Sequence, residues 1–160
     1  MKPESETTSR VMELLTDAPL RLRKAALGIQ TPRIYLRTDV EPWSVHDILA
    51  HLRACSDVWG KTILAMLTQD NPTQRYVSPR ASMTKPMYAD LDFDAALESF
   101  TVERQKLVLT LSNLDAVGWA RRGTFTGTSP RGRTQTVLSY AERLVNHEHG
   151  HLDQIEALLS

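Results

Sequence analysis

Apolar residues recur every three or four positions in four separate stretches of the chain, and this spacing is typical of α-helices with one buried face. The stretches cover residues 9–28, 44–68, 93–113 and 136–159. Little of the remaining chain shows the alternation of apolar and polar residues that indicates a β-strand. Four amphipathic helices in one small chain predict an all-α fold, an up-down four-helix bundle.

Capping residues and helix breakers set the predicted ends of these helices. Ser44 is a good N-cap for the second helix, and Asp47 three residues later completes a variant of the capping box. Pro19 lies inside the first helix, so we expect it either to kink that helix or to begin a new one capped at Asp17. Gly28 is expected to end the first helical segment.

Two long connections interrupt the predicted bundle, one between the second and third helices and one between the third and fourth. Residues 69–91 contain three prolines and exceed a simple bundle loop, so we expect them to cover a site or to join a partner. Residues 114–135 are rich in glycine and threonine and predict a loop with room for a short extended piece. Residues 1–160 are expected to form one domain, with residues 1–8 flexible.

Composition narrows the possible partners. Lysine plus arginine number 19 and aspartate plus glutamate number 19, so the net charge of zero argues against a nucleic-acid-binding protein. Cys55 is the single cysteine, which excludes an internal disulfide and predicts a reducing compartment, the cytoplasm. The polar N-terminus does not match a signal peptide, and no apolar run is long enough for a membrane span. We therefore expect a cytoplasmic protein whose partner is a small molecule.

The last predicted helix contains the string H-E-x-x-H, formed by His147, Glu148 and His151. At 3.6 residues per turn the two histidines differ by about 40° in direction and about 6 Å in height, so they can grip one metal ion. The alternative is a pair of surface histidines in a polar turn. His149 lies about 200° from His147 around the helix, so we assign it no role.

A zinc protease would need a third protein ligand, which usually follows this motif on another element. The short remainder after His151 continues the helix, so a third ligand must come from upstream. His51 on the second helix is the candidate, although a histidine beside an apolar stripe is often a hydrogen-bonded, semi-buried residue. Three imidazoles around Zn²⁺, Ni²⁺ or Fe²⁺ would leave a position open for water or substrate, which is typical of a catalytic site.

Three stretches together resemble the DinB-like superfamily of metal-dependent enzymes, which includes the YfiT-type proteins. They are "WSVHDILAHL" at the start of the second helix, "ESFTVERQKLVLTLSNL" in the third and "NHEHGHLDQI" in the fourth. That family is an up-down four-helix bundle with one metal held by a histidine of the second helix and two of the fourth. The resemblance thus implies His51, His147 and His151 as ligands, and it makes the protease string a coincidence of helical spacing.

Several neighbouring residues carry alternative interpretations. Glu148 is a candidate general base or partner of a ligand, but an interhelical salt bridge is an equal alternative. Asp47 can accept the free ring proton of His51 or serve only as a capping residue. Cys55 can approach the open metal position or be buried as a small apolar residue. An anionic substrate or cofactor could be received by four arginines before the last helix, with a solvated basic loop as the alternative: Arg121, Arg122, Arg131 and Arg133.

The resemblance also implies a class of chemistry. Related members are similar to thiol-dependent S-transferases and isomerases that use low-molecular-weight bacterial thiols such as bacillithiol or mycothiol. By that resemblance, the metal would bind the sulfur of the thiol and promote its attack on an electrophile. Hydrolysis is a second chemistry that the same site permits. The other hypothesis is a metal-binding stress-response protein without turnover, a homodimer through one face of the bundle.

Overall fold

The structure, a computed structural model, describes residues 3–127 and 133–160. Four long helices dominate these residues, and short helices lie in the connections. In chain order the helices are α1 (Pro3–Ala26), α2 (Thr31–Ile34), α3 (Val45–Thr68), α4 (Pro79–Ser82), α5 (Pro86–Ala89), α6 (Phe93–Ser112), α7 (Ala116–Trp119) and α8 (Val137–Leu159). The predicted all-α four-helix bundle is confirmed, with α1, α3, α6 and α8 as its members.

The start of α3 follows the predicted capping signals, whereas α1 begins at Pro3, ahead of the predicted start at residue 9. Ser44 and Asp47 form a capping box at the start of α3, in which each side chain accepts the other residue's backbone N–H. The first helix continues through Pro19 without interruption, so the alternative of a new helix capped at Asp17 is wrong. Buried apolar side chains on both sides of the proline hold one continuous helix, because tertiary packing outweighs one lost hydrogen bond. Gly28, at φ +75°, lies just beyond the end of α1.

Contacts between distant residues give the directions of the helices. Leu14 and Arg21 on α1 contact His149 and Glu156 on α8, so these two helices run parallel. Pairings of Arg53 with Ser99 and of Ser56 with Arg104 show that α3 and α6 also run parallel to each other. Helix α3 runs antiparallel to α8. Taken in chain order, α1, α3, α6 and α8 therefore run up, down, down and up, which specifies the predicted up-down arrangement.

The order of the helices around the bundle also differs from their order in the chain. Helices α1 and α3 each pack mainly against both α6 and α8. Consequently α1 and α3 lie at opposite corners of the bundle, and α6 and α8 occupy the other two corners. The parallel run of α3 and α6 requires the chain to return along the full bundle between them, which explains the length of residues 69–92.

Two apolar clusters fill the bundle, one toward each end. The first cluster includes Leu22, Ile48, Phe100 and Ile155. The second cluster includes Leu15, Ile63, Leu111 and Leu144. Between these levels lies a set of polar side chains that we call the polar layer, and it consists of His51, Arg104, His147, Glu148 and His151. Because apolar packing flanks it on both sides, the polar layer is held on rigid parts of the long helices.

The connections contain more regular structure than the sequence predicts. Three strands, β1 (Thr73–Arg75), β2 (Arg122–Thr126) and β3 (Arg133–Thr136), form one small sheet in that order. Strand β1 pairs parallel to β2, and β2 pairs antiparallel to β3. This sheet and α7 replace most of the loop expected at residues 114–135. No helix in the described ranges is both long and apolar enough to cross a membrane.

Candidate metal centre

Three histidine rings of the polar layer meet between α3 and α8. His51 faces His147 and His151, which lie on successive turns of α8. One nitrogen from each ring can be chosen so that all three lie within 4.8 Å of one another. The Nε2 atoms of His51 and His147 are 3.3 Å apart. The structure therefore brings together the three residues that the sequence predicts as metal ligands.

The geometry and charge of this cluster fit a divalent cation that prefers nitrogen ligands. Two nitrogens bound to one tetrahedral zinc ion at about 2.0–2.1 Å lie about 3.3–3.4 Å apart, which matches the separation of His51 and His147. Burial and the neighbouring histidines lower the pKa of His51 to about 4, and burial and His151 do the same for His147. Both rings are therefore neutral near pH 7, the form that binds metals.

A chain of hydrogen bonds fixes the orientation of His151. Its Nδ1 lies 3.0 Å from Oε1 of Gln154, and Nε2 of Gln154 donates to Oε2 of Glu41, also at 3.0 Å. Because the amide oxygen can only accept, Nδ1 of His151 carries the proton and its Nε2 keeps a free lone pair. Neither Gln154 nor Glu41 was among the residues predicted from the sequence. Gln154 had one available signal, its spacing three residues after His151, whereas Glu41 had none.

Replacing Gln154 by leucine is expected to weaken metal binding about 10–100-fold, because His151 loses the acceptor that sets its tautomer. The measurement is a competition titration of the chelator-treated protein with zinc and a fluorescent indicator. Gln105→Leu, an exposed glutamine on α6, is the matched control and should bind zinc like the wild type. Equal affinity of both variants would show that Gln154 does not orient the ligand.

Cys55 lies at the floor of the same site. Its Sγ is 3.5 Å from Nε2 of His51 and 3.9 Å from Nδ1 of His147. Burial raises the pKa of this thiol to about 12, so it is protonated. The interpretation as a small buried residue is the better supported one, and the candidate ligand set is the three histidines.

Glu148 points away from the histidine cluster into the bundle. Its carboxylate pairs with Arg104 of α6, and both side chains are 1% exposed. Arg104 also donates to Oγ of Ser56 at 2.9 Å. Burial raises the pKa of Glu148, although Arg104 opposes the shift. Glu148 does not line the pocket beside the histidines, so its position supports the interhelical salt bridge rather than the general base.

Asp47 serves as a capping residue. Its carboxylate accepts from the backbone and hydroxyl of Ser44 and, at 2.6 Å for each oxygen, from Arg37. Burial favours a higher pKa for Asp47, but the hydrogen bonds from Arg37 and Ser44 outweigh it and lower the pKa to about 2. The capping interpretation is thus confirmed, and the carboxylate is already occupied away from His51.

The remaining two histidines have structural contacts. Nδ1 of His149 accepts from Arg21 at 2.8 Å, and its Nε2 donates to the Leu14 carbonyl at 3.0 Å. His149 therefore lies against α1, away from the other two histidines of α8, as its helical angle predicts. His46 contacts the Leu91 carbonyl through Nε2 at 2.6 Å. Neither residue belongs to the candidate metal cluster.

Of the four predicted anion-binding arginines, the three that the structure describes do not line the histidine pocket. Arg121 donates to the carbonyl oxygens of Met66 and Gln69, each at 2.7 Å, and so joins the end of α3 to the loop before β2. Arg122 and Arg133 lie on β2 and β3 and do not line the histidine pocket. Arg131 lies outside the described residues. The pocket instead contains Arg80 and Arg143, two arginines that were not predicted from the sequence.

An open pocket of about 450 Å³ gives access to the three histidines. Its walls include Trp43 and Trp59, whose rings lie 5.1 Å from His51 and 5.0 Å from His147, respectively. The long connection after α3 covers one side of the pocket, as predicted. That connection contributes Tyr76, Ser78, Pro79 and Arg80.

Comparison with known proteins agrees with this architecture. A family model described as the DinB superfamily matches residues 5–155. No curated protein matches the chain. Among solved structures the chain is similar to YfiT from Bacillus subtilis, described as "a probable metal-dependent hydrolase with an unusual four-helix bundle topology". The identity is 17% and the TM-score 0.82, over 99% of this chain and 87% of that one. At this identity the likeness shows a shared fold.

Proposed function

The chain belongs to the DinB superfamily, and from this membership and the histidine cluster we propose that it is a metal-dependent enzyme acting on a small molecule. The observation that carries the proposal is the convergence of three imidazoles at the wall of an open pocket, where the ring of His51 is buried and the other two are half-buried. A site that only stored or sequestered a metal would have little use for a pocket of this size beside the ion. Pockets that hold small ligands commonly measure about 300–1,000 Å³.

His51, His147 and His151 would hold the ion, with Zn²⁺, Ni²⁺ and Fe²⁺ as the candidates for a three-nitrogen donor set. A cation there would supply Lewis-acid polarisation of a water molecule or of a thiol sulfur. The protein's own contribution is the fixed placement of the ligands on α3 and α8, between two packed apolar clusters. Such rigid placement favours one coordination geometry over others.

The other groups of the pocket would bind the substrate and accept a proton. The rings of Trp43 and Trp59 offer apolar surface to the body of a small molecule. Glu41 is the one carboxylate that lines the pocket within the described chain. We assign it as the acceptor for the proton that an attacking water or thiol must lose.

Two reactions fit this arrangement. Thiol-dependent S-transfer is supported by the resemblance of the histidine-bearing stretches to family members that use small thiols. Hydrolysis is supported by the shared fold with YfiT, which is described as a probable metal-dependent hydrolase. Peptide hydrolysis of the H-E-x-x-H type is disfavoured, because the glutamate of that string is paired with Arg104 inside the bundle.

The decisive experiment joins elemental analysis to two assays on one preparation. Purified protein is stripped with a chelator, reloaded with zinc, nickel or ferrous iron, and offered a panel of small thiols with an electrophile, and a panel of nitrophenyl esters. We expect metal-dependent turnover in one panel and its loss in His151→Ala. Thiol consumption would favour the transferase, and ester cleavage without thiol would favour the hydrolase. A metal-loaded protein inactive across both panels would contradict the enzyme and favour a metal-binding stress-response protein.

The homodimer and the cytoplasmic location stay predictions. Size-exclusion chromatography with light scattering tests the first directly. Neither affects the chemistry proposed for the pocket, because every candidate ligand comes from one chain.

A further inference from the structure

Two arginines line the histidine pocket without an acidic partner. Arg80 comes from α4 in the long connection, and Arg143 lies on α8 one turn before His147. Neither takes part in any of the ion pairs found among the described residues. Both side chains are exposed, so a ligand that enters the pocket can reach them.

Aromatic rings hold both guanidinium groups in place. The Cζ atom of Arg80 lies 4.9 Å from the centroid of the Trp43 ring. Arg143 lies 5.7 Å from the centroid of Trp59 and 5.8 Å from that of Tyr76. A cation over a ring face is stabilised by the ring, yet its N–H groups keep their hydrogen-bonding capacity. The two arginines are therefore positioned by rings, and neither donates a hydrogen bond to another residue of the described ranges.

Several other arginines donate their N–H groups to acceptors within the chain. Arg104 donates to a carboxylate and a hydroxyl, Arg121 to two carbonyls and Arg37 to a carboxylate. Arg80 and Arg143 differ from these in having no hydrogen-bond acceptor among the described residues and a pocket in front of them. An arginine that is ordered without an internal acceptor is well suited to bind an oxyanion from outside, because its fork of donors matches a carboxylate or phosphate.

The charge of the pocket points in the same direction. Among the described residues that line it, Arg80 and Arg143 are positive and Glu41 alone is negative. Glu41 accepts hydrogen bonds from the Gln154 side chain and the Trp43 backbone N–H, at 3.0 and 3.4 Å, and its one negative charge is outweighed by the two positive charges. A divalent cation on the histidines would increase the positive excess further. A cationic or strongly basic substrate is therefore disfavoured, and an anion is attracted by the excess of positive charge in the pocket.

We infer that the substrate carries an oxyanion, a carboxylate or a phosphate, which Arg80 and Arg143 bind while the apolar body of the molecule lies against Trp43 and Trp59. This inference rests on the proposed function for the identity of the site, but the arginine pair does not itself need the metal. The arginines hold the anionic end of the substrate, and the histidine cluster faces the group that reacts. The arginines thereby select which small molecules enter the pocket productively.

The test is isothermal titration calorimetry with three probes that each carry a phenyl ring: phenyl phosphate, phenylacetate and the neutral phenylacetamide. Each is titrated into the chelator-treated protein and into the zinc-loaded protein. Arg80→Gln and Arg143→Gln should each weaken anion binding about tenfold in both preparations, because one charge-assisted contact is lost. The double variant should lose more, while its weak binding of phenylacetamide should not change. Tighter binding of phenyl phosphate or of phenylacetate identifies which oxyanion the pocket prefers.

Arg122→Gln is the matched control, since it removes an exposed arginine outside the pocket and should leave all titrations unchanged. Thermal melting of each variant verifies that the fold is intact. Unchanged anion affinity in the double variant would overturn the inference, as would failure of both anions to bind the wild type at millimolar concentration. If the arginine dependence holds but zinc fails to bind, the proposed metal function falls and the anion site stands. If zinc binds but anion affinity changes only in His151→Ala and not in the arginine variants, the anion site falls and the proposed metal function stands.

Discussion

Replacing any one of His51, His147 and His151 by alanine is expected to abolish stoichiometric binding of a divalent metal. Each ring supplies one of the three nitrogens that lie within 4.8 Å of one another, and no further His, Cys, Asp or Glu of the described chain joins that group. The loss should exceed the roughly 10–100-fold effect typical of removing a partner that only orients a ligand. Elemental analysis after dialysis and a competition titration with zinc measure it.

The other two histidines provide internal controls for this prediction. His46→Ala and His149→Ala should retain the metal, because their rings contact the Leu91 and Leu14 carbonyls away from the cluster. His149→Ala should still lower the melting temperature, since it removes a contact of Arg21 between α1 and α8. Metal loss in His149→Ala as severe as in His151→Ala would contradict the site. So would a zinc-soaked crystal in which the three rings remain apart with only water between them.

Breaking the buried ion pair with Glu148→Gln is expected to destabilise the fold by about 3–5 kcal/mol, which corresponds to roughly 6–20 °C in melting temperature. The substitution keeps the shape of the side chain but leaves the charge of Arg104 uncompensated where only 1% of the side chain is exposed. Desolvation of that charge is then no longer offset by its partner. Urea unfolding followed by circular dichroism gives the free energy of unfolding.

An ion pair on the surface serves as the control that separates the effect of burial from the effect of losing one charge. The exposed pair Glu103–Lys106 lies on α6, the helix that also carries Arg104. Glu103→Gln removes the carboxylate of this pair and should change the free energy of unfolding by less than about 1 kcal/mol. The double variant Arg104→Met, Glu148→Leu should recover much of the stability lost in Glu148→Gln, because it removes both buried charges. A Glu148→Gln protein of normal stability that had lost only its catalysis would instead assign Glu148 to the chemistry.

The candidate metal-binding histidines and the Arg104–Glu148 ion pair belong to the same polar layer. His147 and Glu148 are adjacent on α8, with His147 facing α3 and the pocket and Glu148 facing Arg104 on α6. The ion pair therefore ties α8 to α6 at the height of the candidate metal ligands. Since Ser56 of α3 also accepts from Arg104, three of the four long helices are joined at this level. Such cross-linking favours a preorganised set of ligands.

Most of the helical frame was predictable from the sequence, because a helix with one buried face requires apolar residues at every third or fourth position and capping residues at its ends. The capping box at Ser44 and the ends of α3, α6 and α8 agree with the predicted bounds to within a residue. The pairing of His147 with His151 follows from helical geometry alone. His51 needed more, namely a third ligand from upstream and the resemblance to a family whose second helix supplies one.

The tertiary structure alone decided which of the polar residues meet. The partnership of Glu41 with Gln154 and the assignment of Arg80 and Arg143 to the pocket join residues far apart in the chain. The parallel run of α3 and α6, and the small sheet of β1 with β2, likewise pair distant segments. Local periodicity records which face of a helix is apolar, but it does not record which helix covers that face. That choice depends on packing free energy summed over the whole bundle, so it exists only in the folded molecule.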